Sequence, residues 1–243
     1  MKEQNLQEKL QAVFAAPLKR KSFLKYTALS GTAMVLGLEA CKKDNNNNPT
    51  PSGSVTDVGS GDPGILNFAY ALEQLEAAFY IKVNASFYSN ITTDEKQILT
   101  DIMNHEVAHR DFFKAALGSA AIKTLSFDFS SINFTDRNSV LSTAKALEDT
   151  GVSAYNGAGK YFKSPDYLTL AGKIVSVEAR HASAIRDLLM PKTSSFAGDD
   201  VIDATSGLDY SRTPNATDSA HPMSIVATAN TFLTTKISAT LLP

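Results

Sequence analysis

The sequence lacks several features that would indicate other classes of protein. Cys41 is its only cysteine, so no internal disulfide can stabilise the fold. The net charge is only −2, and none of the expected helices has a basic face, which argues against a nucleic-acid-binding protein. The sequence contains no glycine-rich loop for a dinucleotide or a phosphate, and no segment marks a pocket for an organic substrate. Any catalytic or binding chemistry must therefore come from side chains outside these motifs.

The first 41 residues are organised as an export signal. The basic segment RKSFLK precedes the apolar run YTALSGTAMVLGLEA and then Cys41, and this run is too short to span a bilayer stably. The segment resembles a twin-arginine signal with Arg20 and Lys21 in place of the arginine pair. LEAC resembles a lipoprotein signal box, although Glu39 stands where a small residue is usual. We expect lipidation at Cys41 and a place in the cell envelope, in the periplasm or anchored to a membrane. The alternative is an ordinary secretory signal with an unmodified cysteine.

The rest of the chain divides into a linker, a helical domain and a C-terminal extension. Residues 42–63 are polar and rich in Asn, Gly, Ser and Pro, which predicts a flexible linker. Residues 64–190 have helical periodicity almost throughout and predict an all-α domain. Residues 191–243 begin with many turn residues and end in MSIVATANTFLTTKISATLLP. This last segment predicts a fifth helix, which packs on the domain or, as the alternative, meets a partner.

The helical domain is expected to contain four long helices. Their predicted spans are 64–86, 93–117, 137–161 and 165–189. Thr92 and Glu95 have the spacing of a capping box at the start of the second helix. In the first helix, Asn67 and Gln74 lie opposite the broad apolar face. Residues 118–135 are expected to form a long crossover, so that the second and third helices share a bundle without forming a hairpin.

The second and fourth helices both place charge on their inner faces. Glu106 and His109 stand three residues apart in HEVAH, and Glu178 and His181 do so in VEARH. A buried carboxylate beside an imidazole is costly unless something pairs with both groups. A metal ion can do so, because Glu-x-x-His brings an oxygen and a nitrogen ligand to one ion. With a further Glu from each of two other helices, a bundle forms a dinuclear carboxylate site.

The first and third helices contain the two further glutamates. Glu73 precedes Tyr80 by seven residues, as Glu148 precedes Tyr155, so the domain looks like one repeated helical hairpin. Glu76 competes with Glu73, because it lies only about 60° further around the first helix and also faces inward. We favour Glu73, since it alone shares the offset to a tyrosine. The two tyrosines are expected to donate hydrogen bonds to ligands or, alternatively, to be core aromatics.

These residues lie in segments that resemble a known family. NFAYALEQLEAAFY, HEVAH, ALEDTGVSAYNGA and VEARH together resemble the ferritin-like superfamily, and specifically its exported ferritin-like domain proteins, which include desiccation-related relatives. The resemblance covers about residues 65–190 and implies a four-helix bundle with two metal ions between its halves. It also implies the role of each ligand: Glu73 and Glu148 terminal, Glu106 and Glu178 bridging, His109 and His181 nitrogen ligands.

The type of ligand indicates the metal and the chemistry. Four carboxylates and two imidazoles suit Fe or Mn, zinc is possible, and without a thiolate nothing favours copper(I) or a cluster. A pair of such ions can change between +2 and +3, which allows Fe(II) oxidation, peroxide disposal or substrate oxidation. We expect a role in iron oxidation, peroxide handling or stress protection. The expected partners are metal ions with oxygen or peroxide. The linker and the C-terminal extension favour a monomer or small oligomer over a storage cage.

Two alternatives keep the fold without the metal chemistry. In the first, Glu106, His109, Glu178 and His181 form a buried polar network in a metal-free structural or stress protein. In the second, the bundle is a binding module that displays the C-terminal extension. Two other histidines are expected to lie outside the site. His105 points about 100° away from Glu106 and should be a rim or structural residue, and His221 should be an exposed turn residue.

Overall fold

The computed structural model describes residues 55–200, 202–203, 208–209 and 221–243. Four long helices dominate it: α1 Gly61–Ala85, α2 Thr93–Leu117, α3 Arg137–Gly159 and α4 Pro165–Leu189. α1 packs on α2, and α3 packs on α4, so the bundle consists of two helical hairpins joined by the crossover. The predicted all-α fold class is confirmed.

The export signal and Cys41 lie outside the described residues, as does most of the predicted linker. No helix among the described residues is both long enough and apolar enough to cross a bilayer. Because Cys41 is not among the described residues, lipidation and export stay predictions from the sequence.

The last residues of the predicted linker belong to the folded domain. Strand β1, Thr56–Asp57, pairs in parallel with a strand near the C-terminus, Ile237–Ser238, and α1 begins at Gly61 rather than at residue 64. Gly61 has a φ of 60°, which glycine adopts readily, and Pro63 lies in the first turn, where its missing N–H is not needed. The polar composition of this segment indicated a linker. It could not reveal the strand, because the residues that pair with it are distant in the sequence.

The starts of α2 and α4 follow local rules, and both predicted spans are confirmed. At α2, the backbone N–H of Glu95 donates to Thr92 Oγ1 over 3.1 Å, and the backbone N–H of Thr92 donates to Glu95 Oε2 over 3.3 Å. At α4, Ser164 accepts a hydrogen bond from the N–H of Tyr167, and Pro165 opens the helix. These caps fix where each Glu-x-x-His lies along its helix.

α1 is buried on nearly all sides, which its sequence pattern did not indicate. Asn67 and Gln74, expected opposite the apolar face, are only 6% and 3% exposed. The crossover covers that face of the helix. Asn67 Oδ1 accepts from the N–H of Ile122, and Gln74 Oε1 accepts from the N–H of Leu125, each over 2.9 Å. The two amides thus satisfy backbone groups of the crossover and hold it against α1.

The described residues 191–200 and 221–243 of the C-terminal extension pack on the bundle. The extension contains two short antiparallel strands, β2 Ile202–Asp203 and β3 Leu208–Asp209, the helix α5 Pro222–Ala229 and the strand β4 described above as the partner of β1. The fifth helix is confirmed but is much shorter than the predicted segment. A short 3-10 helix, Asn230–Phe232, follows it, and the Asn230 side chain bonds both the N–H and the carbonyl of Ile237 over 2.9 Å, which holds this turn against β4. The extension adds to the core Ile225, Val226, Ala229, Leu233, Ile237 and Leu242.

A buried arginine joins the extension to the bundle. Arg186 of α4 is 1% exposed, and its Nε and Nη2 donate to the two carboxylate oxygens of Asp149 on α3, both over 2.8 Å. Its Nη1 donates to Asp200 and to the carbonyl of Ser195. This paired geometry is the strong form of the arginine–carboxylate interaction. The sequence alone gave no reason to single out Arg186.

Candidate metal centre

All six residues predicted as ligands come together in the middle of the bundle. They fall into two groups of four whose ligand atoms lie within 4.8 Å of one another. The first group is Glu73, Glu106, His109 and Glu178, and the second is Glu106, Glu148, Glu178 and His181. Glu106 and Glu178 belong to both groups, which is the position that bridging ligands must occupy.

Each histidine presents Nδ1 to three carboxylates. His109 Nδ1 lies 2.9 Å from Glu178, 3.3 Å from Glu73 and 3.7 Å from Glu106. His181 Nδ1 lies 2.8 Å from Glu106, 3.4 Å from Glu148 and 3.6 Å from Glu178. In both cases the nearest carboxylate comes from the other hairpin. The site is therefore built between the hairpins, and its two halves match.

These atoms converge without making hydrogen bonds to one another. The atoms without a hydrogen-bond partner include Nδ1 of both histidines and one or both carboxylate oxygens of every glutamate in the two groups. A protein does not normally leave so many buried polar atoms unsatisfied. Two atoms that each lie about 2 Å from a shared ion have the spacing found here. The donor set is therefore compatible with the binding of metal ions.

Without metal, the site must hold protons instead. Burial raises the pKa of Glu106 to about 7 and that of Glu148 to about 8. Burial alone would lower the pKa of both histidines, but the adjacent carboxylates outweigh it, raising the pKa of His181 to about 12 and that of His109 well above its usual value. At Glu178 the contacts with the two histidines outweigh burial and lower the pKa to about 2. Metal binding must therefore release protons from the imidazoles.

Two tyrosines donate hydrogen bonds to Glu148 and Glu73, the two glutamates that each belong to only one of the groups. The Tyr80 hydroxyl of α1 donates to Glu148 Oε1 of α3 over 2.6 Å, and the Tyr155 hydroxyl of α3 donates to Glu73 Oε1 of α1. The bonds are crossed between the hairpins, so each tyrosine orients the carboxylate of the other half. Hydrogen bonds of this kind fix the direction in which a ligand points. This arrangement agrees with the first of the two roles expected for the tyrosines.

Glu76 is buried beside the site but belongs to neither group of four. Burial and the charges of nearby glutamates, Glu106 first, raise its pKa well above the usual value. Its carboxylate lies against Gly151 of α3, where an added Cβ would be only 2.9 Å from Glu76 Oε1. Gly151 thus leaves the space that the Glu76 side chain occupies. The structure brings Glu73, and not Glu76, into a ligand group, and its ligand role stays a prediction.

We expect Glu73→Gln to weaken the binding of one metal ion by at least about tenfold, since losing a ligand should cost no less than losing its orienting partner. Glu76→Gln should leave both ions bound. Calorimetric metal titration of the two variants makes a matched comparison, because the substitutions are identical and three residues apart on one helix. Loss of metal from Glu76→Gln with retention by Glu73→Gln would reverse the assignment.

The other two described histidines lie outside both groups. His105 is exposed, as expected for a rim residue, yet its Nδ1 lies 2.9 Å from Nε2 of His181. The sequence did not indicate this contact, because it crosses from α2 to α4. His221 is only half-buried rather than fully exposed, and its Nδ1 accepts from the N–H of Met223 and caps α5.

A comparison with protein families agrees with this geometry. The model of a family described as a ferritin-like domain matches residues 61–191, which include all four long helices and all six residues of the two groups. No curated protein shows significant similarity to the chain.

Proposed function

The chain belongs to the ferritin-like domain family, and we propose that it holds a dinuclear Fe or Mn centre that oxidises Fe(II) with oxygen or peroxide in the cell envelope. The observation that carries this proposal is the convergence of two imidazole nitrogens and four carboxylates with no hydrogen bonds among them. Four carboxylates balance the charge of two divalent ions, which a buried site requires.

The six residues of the two groups would have different roles in such a centre. Glu106 and Glu178 would bridge the two ions, and each ion would be completed by one further glutamate and one histidine. The bound metal pair would supply redox chemistry between the +2 and +3 states. All four carboxylates are fully buried, so the protein keeps water away from them.

Substrate approaches most easily from the side of the histidines. The His109 side chain is 14% exposed and the His181 side chain 6%, whereas the four carboxylates are inaccessible. We therefore propose that Fe(II) and the oxidant enter beside His109. Zinc would occupy the same ligands without redox chemistry and would act as an inhibitor.

The test is a single-turnover oxidation experiment. The metal-free chain is loaded with Fe(II) under anaerobic conditions and exposed to oxygen or peroxide, while absorbance is followed in time. We expect oxidation by the parent chain and its loss in His109→Ala and Glu178→Ala. Arg180→Ala, on the exposed outer face of α4, is the control and should oxidise normally.

Three results of this experiment have different meanings. Oxidation that is equally fast in all variants would contradict the proposed site. Uptake of hundreds of irons per chain would indicate a storage cage in place of the small oligomer proposed here. A chain that binds no specific metal would be a metal-free structural or stress protein of the same family.

Placement in the cell envelope rests on Cys41 and is tested separately. LEAC and the polar residues after it support a mature protein that begins at Cys41 and carries lipid there. One acyl chain binds membranes weakly, but several together bind stably. We expect Cys41→Ser to move the protein from the membrane fraction to the soluble fraction. Full membrane association of that variant would exclude the anchor.

A further inference from the structure

The two halves of the site differ at one histidine. His181 directs Nδ1 towards the carboxylates, and its Nε2, on the other side of the ring, lies 2.9 Å from Nδ1 of His105. The two rings are nearly coplanar, with centroids 5.1 Å apart and planes 18° apart, so they meet edge to edge at these two nitrogens. Among the described residues, Nε2 of His109 has no comparable partner.

The repeat of the hairpins shows what occupies the matching place. Glu106 and His109 correspond to Glu178 and His181, so His105, four residues before the first histidine, corresponds to Val177, four residues before the second. By the same correspondence, residue 177 is the one placed to reach His109. Valine has no hydrogen-bonding atom in its side chain.

We propose that His105 is a positioning residue that makes the two metal positions unequal. This inference rests on the proposed dinuclear centre. An imidazole that binds metal through Nδ1 carries its proton on Nε2, so His181 would donate to Nδ1 of His105. Such a partner fixes the tautomer and the orientation of the ring and makes it a better ligand.

The expected consequence is two binding steps of different affinity. Loss of an orienting partner lowers metal affinity about 10- to 100-fold. We therefore expect the metal position that includes His181 to bind its ion about 10- to 100-fold more tightly than the position that includes His109. The structure supplies no other partner of this kind among the described residues, and the inequality therefore depends on a single side chain.

The test is an anaerobic titration of the metal-free full chain with Co(II), followed by calorimetry and by the visible absorbance of the bound ion. The parent chain should bind two ions in two separate steps. His105→Phe keeps an aromatic ring beside His181 but removes the acceptor, so the tighter step should weaken about tenfold or more while the weaker step stays the same. His105→Asn offers an acceptor at a similar place and should largely restore the tighter step and its absorbance.

A gain-of-function variant tests the same idea from the other half. Val177→His supplies the missing partner to His109 and should strengthen the weaker step, bringing the two affinities together.

Thermal unfolding without metal should be the same for the parent chain and His105→Phe, because His105 is exposed. A large drop in the unfolding temperature would indicate a structural role instead.

The outcomes separate this inference from the proposed function. Two equal steps in the parent chain, or equal weakening of both steps in His105→Phe, would overturn the role of His105 and leave the dinuclear centre intact. Absence of any Co(II) binding would overturn both.

Discussion

Glu178→Gln should abolish the tight binding of both metal ions, a loss of more than about 100-fold in affinity that exceeds the loss of an orienting partner. Glu178 belongs to both groups of four and lies 2.9 Å from His109 Nδ1 and 3.6 Å from His181 Nδ1. Its low pKa means that it is ionised, so glutamine removes a full negative charge and, in the proposed centre, an oxygen ligand of each ion. Metal content after dialysis and calorimetric titration measure the effect.

Glu148→Gln is the matched control for this prediction. Glu148 belongs to only one group, so its loss should weaken one ion and leave the other bound. Circular dichroism must show that both variants keep their helices, since Glu178→Gln also leaves two buried imidazoles with one fewer carboxylate. Equal losses in Glu178→Gln and Glu148→Gln would contradict the assignment of Glu178 as a bridge.

Arg186→Ala should lower the free energy of unfolding by about 3–5 kcal/mol, because a buried paired interaction loses one partner and Asp149 keeps only the 3.6 Å contact with Lys145. The Arg186 side chain is 2% exposed and Asp149 is 22% exposed. The same change removes the hydrogen bonds from Arg186 to Ser195 and Asp200 and leaves Lys145 as the charged partner of Asp200. Urea unfolding of the metal-free chain, followed by helix content, measures the loss.

Asp200→Ala provides the comparison within the same network. Asp200 is 53% exposed, and an ion pair of that exposure contributes about 0–1 kcal/mol. Its loss should therefore be several times smaller than that of Arg186. If Arg186→Ala costs less than about 1 kcal/mol, the buried network does not stabilise the domain in the way described.

Local rules account for most of what could be predicted from the sequence. The capping box at Thr92 predicted where α2 begins, because a cap acts within one turn of helix. The ligand groups could be predicted for a similar reason. Glu-x-x-His occurs twice at helical spacing, and the offset from Glu73 to Tyr80 marks the repeat, so the pattern needs no knowledge of distant contacts.

Features that depend on distant contacts could not be predicted in this way. The burial of Asn67 requires the crossover to lie on α1, and the pairing of β1 joins residues at opposite ends of the domain. The contact of His105 with His181 depends on how α2 packs against α4, which hydrophobic periodicity does not specify. The role of Gly151 likewise could not be predicted, because it depends on the Glu76 side chain of α1 lying opposite this residue of α3.

The most direct measurement is the number of metal ions that the purified chain binds at equilibrium. The metal-free chain is titrated with Fe(II) under anaerobic conditions, and bound iron is counted per chain for the parent and for Glu178→Gln. We expect two ions per parent chain and none bound tightly by the variant. A parent chain that binds no iron or only one ion, or a variant that still binds two, would contradict a dinuclear centre bridged by Glu106 and Glu178.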